Sequence, residues 1–425
     1  MWPFGRKGRP GPEPVPAATR LPRAAAGQPQ PPRPGSVFTP TQPRQGVRSL
    51  TGRKAQLTRI LQALRDDQAH VVLYSERGRG KTSLANAVVE RLRQGGTVVS
   101  RYSCEADSTF DSIMLGLVRN LPASLMTVPA GDPGEGCVSC LPGRPVRPDD
   151  VAALPARLDC RDIVCVVDEF DRVSDAGTAA RMADTVKQLS DRRVPLRFMI
   201  VGVSENLEQM LLQHPSIQRN IAAVQLPLLL DAEVAALIGT AVAATGLGIA
   251  EGVVAQVVLL ARGSPHLAQL LGLRLVQAAS ARGGTELQAG DLDAAVDVLL
   301  EEASPQDSGL WSAMTANGRS KELTAALNAL ATAEHDNWGR FSAVPTDGHG
   351  VLVGHHAVPA PIWNVIEEAK VLLPAPAGSG LYRFRNRSML HHILMLGHKQ
   401  GGTADRPFRT GGEHGVRLVA VGGSA

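Results

Sequence analysis

The stretch that most constrains this chain is a junction between two patterns. His70-Val71-Val72-Leu73-Tyr74 is an apolar, largely β-branched run that reads as a strand, and Ser83–Leu92 places its apolar residues at helical spacing. Between them lies Ser75-Glu76-Arg77-Gly78-Arg79-Gly80-Lys81-Thr82. A polar, glycine-bearing loop that ends on a helix N-terminus receives anionic phosphate, because free amides and the helix dipole converge there. The spacing is that of the phosphate loop G-x-x-x-x-G-K-[ST] at every fixed position but the first, where Ser75 replaces a glycine. Gly78 and Gly80 allow close backbone approach, Lys81 would pair with β- and γ-phosphates, and the Thr82 hydroxyl would face Mg²⁺. Ser75, Glu76, Arg77, Arg79 and Ser83 complete the cradle. Lysine is scarce, seven residues against 37 arginines, so its position directly after Gly80 carries weight.

A partner signal follows. Ile163-Val164-Cys165-Val166-Val167 is a continuous apolar run, the mark of a strand buried on both faces of a parallel sheet, and it ends in Asp168-Glu169. Open α/β sheets bind ligands at the C-terminal ends of such strands. Asp168 is the candidate Mg²⁺ ligand and Glu169 the candidate that orients and polarises an attacking water. Further strands are expected at Thr97–Tyr102, Leu196–Val203 and Ala222–Leu226, with helices at about Gly52–Arg65, Asp111–Asn120 and Ala176–Gln188. This alternation predicts a doubly wound α/β domain over residues 37–230, with an irregular insertion at 121–158. Residues 231–303 read as helices alone, a lid. Residues 316–400 read as helix, helix, helix, strand and helix, with helices at Lys321–Glu334, from Phe341 and at Pro361–Leu373. Residues 401–425 are glycine-rich and expected to be disordered.

Composition narrows the function classes. The net charge is +4, but residues 1–50 hold eight basic residues and one acid, a net of +7, which leaves 36 basic and 39 acidic residues, net −3, for residues 51–425. Most of that positive charge, six basic residues and one acid, belongs to an arm, residues 1–36, that is proline-rich and expected to be disordered. It gives the body no general affinity for nucleic acid. Five cysteines, an odd number spread through the chain, suggest a reducing compartment rather than a disulfide framework. No window offers 18 consecutive uncharged apolar residues, and no apolar run follows the basic start, so a soluble cytoplasmic protein without a membrane partner is expected.

The phosphate loop, the Asp168-Glu169 pair and the helical region after the sheet resemble an AAA+ ATPase. The nearest type is the origin-recognition or replication-initiator (Orc-like) AAA domain and its bacterial relatives. The likeness spans about residues 38–400 and is carried by Gly52-Arg53, Val166-Val167-Asp168-Glu169-Phe170-Asp171, Val203-Ser204-Glu205-Asn206 and Gly263-Ser264-Pro265-His266. It implies that Gly52 and Arg53 border an adenine pocket and that Ser204 or Asn206 reads the γ-phosphate. Arg219 falls where the family keeps the arginine that reaches a neighbouring subunit, which implies a homo-oligomer or a protein partner. His266 stands where many relatives carry a lid arginine. Imidazole is only partly charged at neutral pH, so a weaker, pH-sensitive grip and slow, switch-like hydrolysis are implied.

By the same resemblance residues 316–400 look like a winged-helix domain. If Leu381-Tyr382-Arg383-Phe384-Arg385-Asn386-Arg387 is a strand, Arg383, Arg385 and Arg387 share one face, available to the phosphates of double-stranded DNA. The region's net charge of only +2 also suits a solvated strand edge, so the competing reading is a signalling-type P-loop NTPase whose C-terminal domain binds protein and not DNA. Cys137-x-x-Cys140 has zinc or redox spacing, but no second pair lies nearby, and loop thiols are the expectation. His355-His356 and His391-His392 lack a third ligand at suggestive spacing. The reading is thus an ATP-binding, Mg²⁺-dependent ATPase that acts as a nucleotide-dependent switch on DNA or a protein partner.

Overall fold

The computed structural model describes residues 34–40, 50–126, 136–159, 162–203, 218–304, 309, 311–312, 320–336, 338–346, 350–375 and 379–400. Five parallel strands, β1 (His70–Tyr74), β2 (Val98–Ser103), β3 (Ile163–Asp168), β4 (Leu196–Gly202) and β5 (Ile221–Gln225), form one sheet in the order β2-β3-β4-β1-β5. Around them run α2 (Lys54–Arg65), α3 (Lys81–Gln94), α4 (Phe110–Arg119), α5 (Pro148–Ala153) and α6 (Ala176–Asp191), whereas the short α1 (Pro34–Val37) lies away from the sheet. β1, β3 and β4 are buried throughout, which is why they read as unbroken apolar runs. Alternate residues feed two cores. Val71, Leu73, Val164 and Val166 pack with Leu84 and Val88 of α3 and Ile60 of α2, while Val72, Val167, Phe198 and Ile200 pack with Ile113 of α4 and Met182 of α6. The sheet is doubly wound, as expected. The described residues of the 121–158 insertion form short 3₁₀ turns and α5, and they seat Cys137, Cys140, Leu141 and Val151 in the second core.

Beyond the sheet lie helices Asp231–Thr245, Val253–Ala261, Pro265–Ala281 and Ala289–Glu301, joined by a two-residue parallel ladder between Gly248–Ile249 and Glu286–Leu287. The lid is therefore not helices alone. The expected boundary at residue 36 also moves: Pro34–Val37 is a helix, and Phe38, 1 % exposed, sits in the lid core against Gly272, where a Cβ would lie 2.2 Å from its ring. The beginning of the described chain packs on the lid, not on the sheet.

The C-terminal region departs furthest from expectation. Helix Ser320–Thr332 is present, but Phe341 lies in a strand, Arg340–Ser342, followed by strands Val344–Thr346, Gly350–Val353 and His356–Pro359. The cause is a period of two in the burial: Val351 and Val353 are buried and Leu352 between them is exposed. Helix Ala360–Glu368, strands Leu372–Pro374 and Leu381–Phe384, and helix Arg387–Lys399 complete it. Strand Leu381–Phe384 is the centre of an antiparallel sheet with Leu372–Pro374 and Arg340–Ser342 on its flanks. The strand stops at Phe384, so Arg385 lies beyond it and Arg387 opens the last helix. The three arginines do not form the single row that alternation implied.

One apolar core runs from Phe38 through Val257 and Leu271 of the lid to Leu327, Phe384 and Ile393 of the C-terminal module. The described residues thus form two bodies, the sheet with its two cores and the lid fused to the C-terminal module. Arg53, Arg79, Glu76, Arg383 and Arg387 meet at the seam between them.

Candidate functional site

A cavity of about 690 Å³ occupies that seam. Because β1, β3 and β4 are parallel, their C-terminal ends lie together, and the loops that leave them converge as a topological switch point requires. The walls include Gly78 to Ser83, Asp168, Glu169, Asp171, Gly202 and Val203 from the sheet body, and Leu229, Leu237, Pro265, His266 and Gln269 from the lid. Thr39, Pro40, Leu50 and Thr51 close one side, and Thr39 N–H donates to Gln269 Oε1 at 3.2 Å.

The phosphate loop has the geometry its residues imply. Gly78 (φ +76°) and Gly80 (φ +89°) take left-handed backbone, and Gly80 caps α3, so the first-turn amides of the helix face the cavity. Ser75 is not among the positive-φ residues; it is buried, and its Oγ donates to Glu76 O. The replaced first glycine therefore costs no strain. Lys81 Nζ donates to the carbonyls of Ser75 and Glu76 at 2.8 and 2.9 Å. Burial, opposed by Asp171, pushes its pKa down to about 8. Thr82 and Ser83 line the cavity beside it.

Asp168 is 4 % exposed. Its Oδ1 accepts the Glu169 amide at 3.0 Å and its Oδ2 pairs with Arg101 of β2. Glu169 sits on left-handed backbone, φ +55°, and its carboxylate accepts from Arg172 at 2.9 Å. Asp171, which sequence reasoning quoted but gave no role, accepts the Val203 amide at 2.9 Å and so ties the β3 and β4 ends together. Ser204 and Asn206 lie outside the described residues.

Gly52 (φ +69°) approaches Glu233 so closely that a Cβ would meet its carboxylate at 2.4 Å. Arg53 is 4 % exposed and donates to Arg79 O (3.2 Å) and Pro227 O (2.9 Å). It is a strut between the phosphate loop and the lid hinge. Burial, partly offset by Glu233, pushes its pKa down to about 10.

His266 stands in the first turn of its helix, 3.5 Å from where a Gly78 Cβ would be. Desolvation lowers its pKa below the ordinary value, which disfavours the charged form of the ring. Arg219 is remote: it is exposed, on a 3₁₀ turn just before β5, at the end of the sheet opposite the cavity. It contributes nothing to its own chain's site.

The C-terminal arginines hold a surprise that one-dimensional spacing could not show. Arg383 Nη1 lies 3.4 Å from Glu76 Oε1, and Arg387 Nη1 lies 4.0 Å from Glu76 Oε2. Arg79 donates to Glu76 Oε2 (2.7 Å), Leu226 O (3.3 Å) and Trp338 O (3.0 Å). Two of the three arginines expected to offer themselves to DNA are thus turned onto the phosphate loop; Arg385 is exposed. Cys137 and Cys140 are buried, Cys137 Sγ lying 3.3 Å from Pro122 O. Among the described residues no group of three His, Cys, Asp or Glu could hold a metal by itself. Cys160 lies outside them. No described helix is long and apolar enough to cross a membrane.

Residues 64–211 match the family model described as AAA domain. No curated protein matches the chain. Among solved structures, a Walker-type ATPase of Pyrococcus abyssi aligns over 84 % of this chain and 99 % of its own at 14 % identity, with a TM-score of 0.51. The Thermotoga maritima RuvB Holliday junction branch migration motor aligns over 82 % and 97 % at 16 % identity, TM-score 0.45. The Aeropyrum pernix Orc1 protein, solved in complex with DNA, aligns over 86 % and 96 % at 15 % identity, TM-score 0.43. The AAA-domain match and the strand order agree on one conclusion: the chain carries a P-loop NTPase fold of the AAA type, a doubly wound parallel sheet followed by a helical lid.

Proposed function

We propose that this chain binds ATP with Mg²⁺ in the seam cavity, hydrolyses it slowly, and uses the state of the site to set the position of its C-terminal module. The observation that carries the reading is the grip of Arg383 and Arg387 on Glu76, because Glu76 belongs to the loop that would wrap the phosphates. A nucleotide brings several negative charges beside that carboxylate and competes for the same guanidinium groups. Gly52, Arg53, Leu229 and Leu237 would border the base, and Gly78 to Ser83 the phosphates. Thr82 and Asp168 supply hard oxygen ligands of the kind Mg²⁺ takes from protein, with phosphate and water completing its shell. Bound there, the ion would neutralise charge on the β- and γ-phosphates. Glu169 would orient the water, and His266, whose burial disfavours its charged form, would give the γ-phosphate a weaker lid contact than an arginine, which supports slow turnover. Ser204 or Asn206 remains the proposed γ-phosphate reader, and Arg219 the group offered to a second subunit.

The partner favoured is a protein. Helix Ala360–Glu368 exposes Pro361, Asn364, Glu367 and Glu368, an acidic face that repels a phosphate backbone. The order of the sheet around Leu381–Phe384 supports a winged-helix-like reading of this module, used here as a protein-binding head. Calorimetry with ATP and an ATPase assay test the core of the proposal. Lys81→Ala should weaken binding at least about tenfold, the scale of one lost charge-assisted hydrogen bond, and unchanged affinity would overturn the site. Duplex DNA should leave the rate unchanged; stimulation that weakens with salt and disappears in Arg385→Ala would restore the DNA reading.

A further inference from the structure

Arg101 is a charged residue inside an otherwise uncharged strand. The parallel register pairs Arg101 with Val166 and Ser103 with Asp168, so its side chain leaves the sheet on the α3 face and runs along β3 to the strand end. There its guanidinium bridges two walls of the site, pairing with Asp168 Oδ2 on β3 and donating to Asn86 Oδ1 on α3. Asn86 is four residues beyond Thr82, on the same helix face. The guanidinium therefore lies beside the position that Thr82 and Asp168 would offer to a divalent ion. Its main chain is fixed as well, since Asn120 Nδ2 donates to Arg101 O at 2.9 Å.

We infer that Arg101 is a resident cation of the metal position: it positions the Asp168 carboxylate and supplies part of the positive charge there, so that nucleotide binding depends only weakly on divalent metal. The inference rests on the nucleotide reading above. One carboxylate oxygen already accepts a main-chain amide and the other is neutralised by the guanidinium. A divalent ion must displace Arg101 or share Asp168 with it. The pair is also well placed for fixed geometry, because Asp168 is almost fully buried and Arg101 is one-third exposed.

The test is calorimetric titration of ADP in excess EDTA and in excess Mg²⁺, for the full chain and for Arg101→Gln, Arg101→Lys and Asn86→Ala. The wild type should bind with similar affinity in both buffers. Arg101→Gln should lose affinity in EDTA and gain metal dependence, with the ratio of dissociation constants rising about tenfold, the equivalent of one charge-assisted hydrogen bond. Mn²⁺ titration followed by electron paramagnetic resonance should show tighter ion binding to the Arg101→Gln complex. Arg101→Lys should keep the wild-type ratio, and Asn86→Ala, which frees one end of the guanidinium, should move part of the way. A lower unfolding temperature in all three variants with no change in the ratio would mean a structural pair only, and would overturn the inference while the nucleotide site stands. Absence of ADP binding by the wild type would overturn both.

Discussion

His70 opens β1 with its ring stacked on Phe198, centroids 6.1 Å apart, and its Nδ1 accepts the Phe198 amide. Burial, reinforced by nearby Arg197, pushes its pKa down to about 3. Between about pH 6.5 and 3 the unfolded chain carries a proton at this position that the folded chain refuses. Stability is therefore greatest above that window and falls on acidification by about 1.4 kcal/mol per pH unit from this residue. In His70→Asn, which keeps an acceptor near the Nδ1 position, this slope should vanish; urea unfolding of both proteins at pH 5, 6 and 7 measures it. At the same scale, the left-handed Glu169 stores backbone strain at the end of β3. Its identity was legible from Asp168-Glu169 after an apolar run, but its pairing with Arg172 was not, because that depends on the 3₁₀ turn that follows.

Among the elements, helix Pro265–Ala281 carries two tasks. Its N-terminus, capped by Ser264, presents Pro265 and His266 to the phosphate loop. Two turns later Gly272 accepts Phe38, which seats the Thr39-Pro40 wall of the cavity. Gly272→Ala would drive a methyl group into the Phe38 ring, and overpacking of this kind costs about 1–3 kcal/mol. Lowered unfolding temperature together with faster proteolysis at residues 34–40 is the expected result; Phe38→Ala in the same background should recover part of the loss. The sequence marked this helix through Gly263-Ser264-Pro265, a stop, a cap and a first-turn proline in succession. The strands at 340–359 were harder to read, because three- and four-residue pieces are too short to display a period against the helical pattern beside them.

At the scale of the molecule, two bodies with separate apolar cores meet across a polar seam. Arg53, Arg79, Glu76, Arg383 and Arg387 are its fasteners. Apolar cores respond little to salt, whereas ion pairs at a partly solvated seam weaken with it. Hydrogen exchange should therefore show ATP changing the protection of residues 381–399 in the wild type. In Glu76→Gln the same segment should exchange faster without nucleotide and change little when ATP is added. Equal responses in the two proteins would uncouple the module from the loop. Lid and C-terminal module should move as one unit, since Phe38, Leu271, Phe384 and Ile393 share a core.

Sequence by itself determined the parallel sheet, the phosphate loop and the carboxylates at the end of β3, because each is a local pattern: unbroken apolar strands, glycine where the backbone must turn left-handed, lysine and threonine at a helix start. Tertiary structure decided where the charges go. Arg383 and Arg387 were legible as basic residues, but only folding brought them to Glu76, some 300 positions earlier in the chain. Arg101 likewise acquired its meaning from the register of β2 against β3. Local backbone preferences are written residue by residue, while an ion pair across a seam depends on how whole bodies pack.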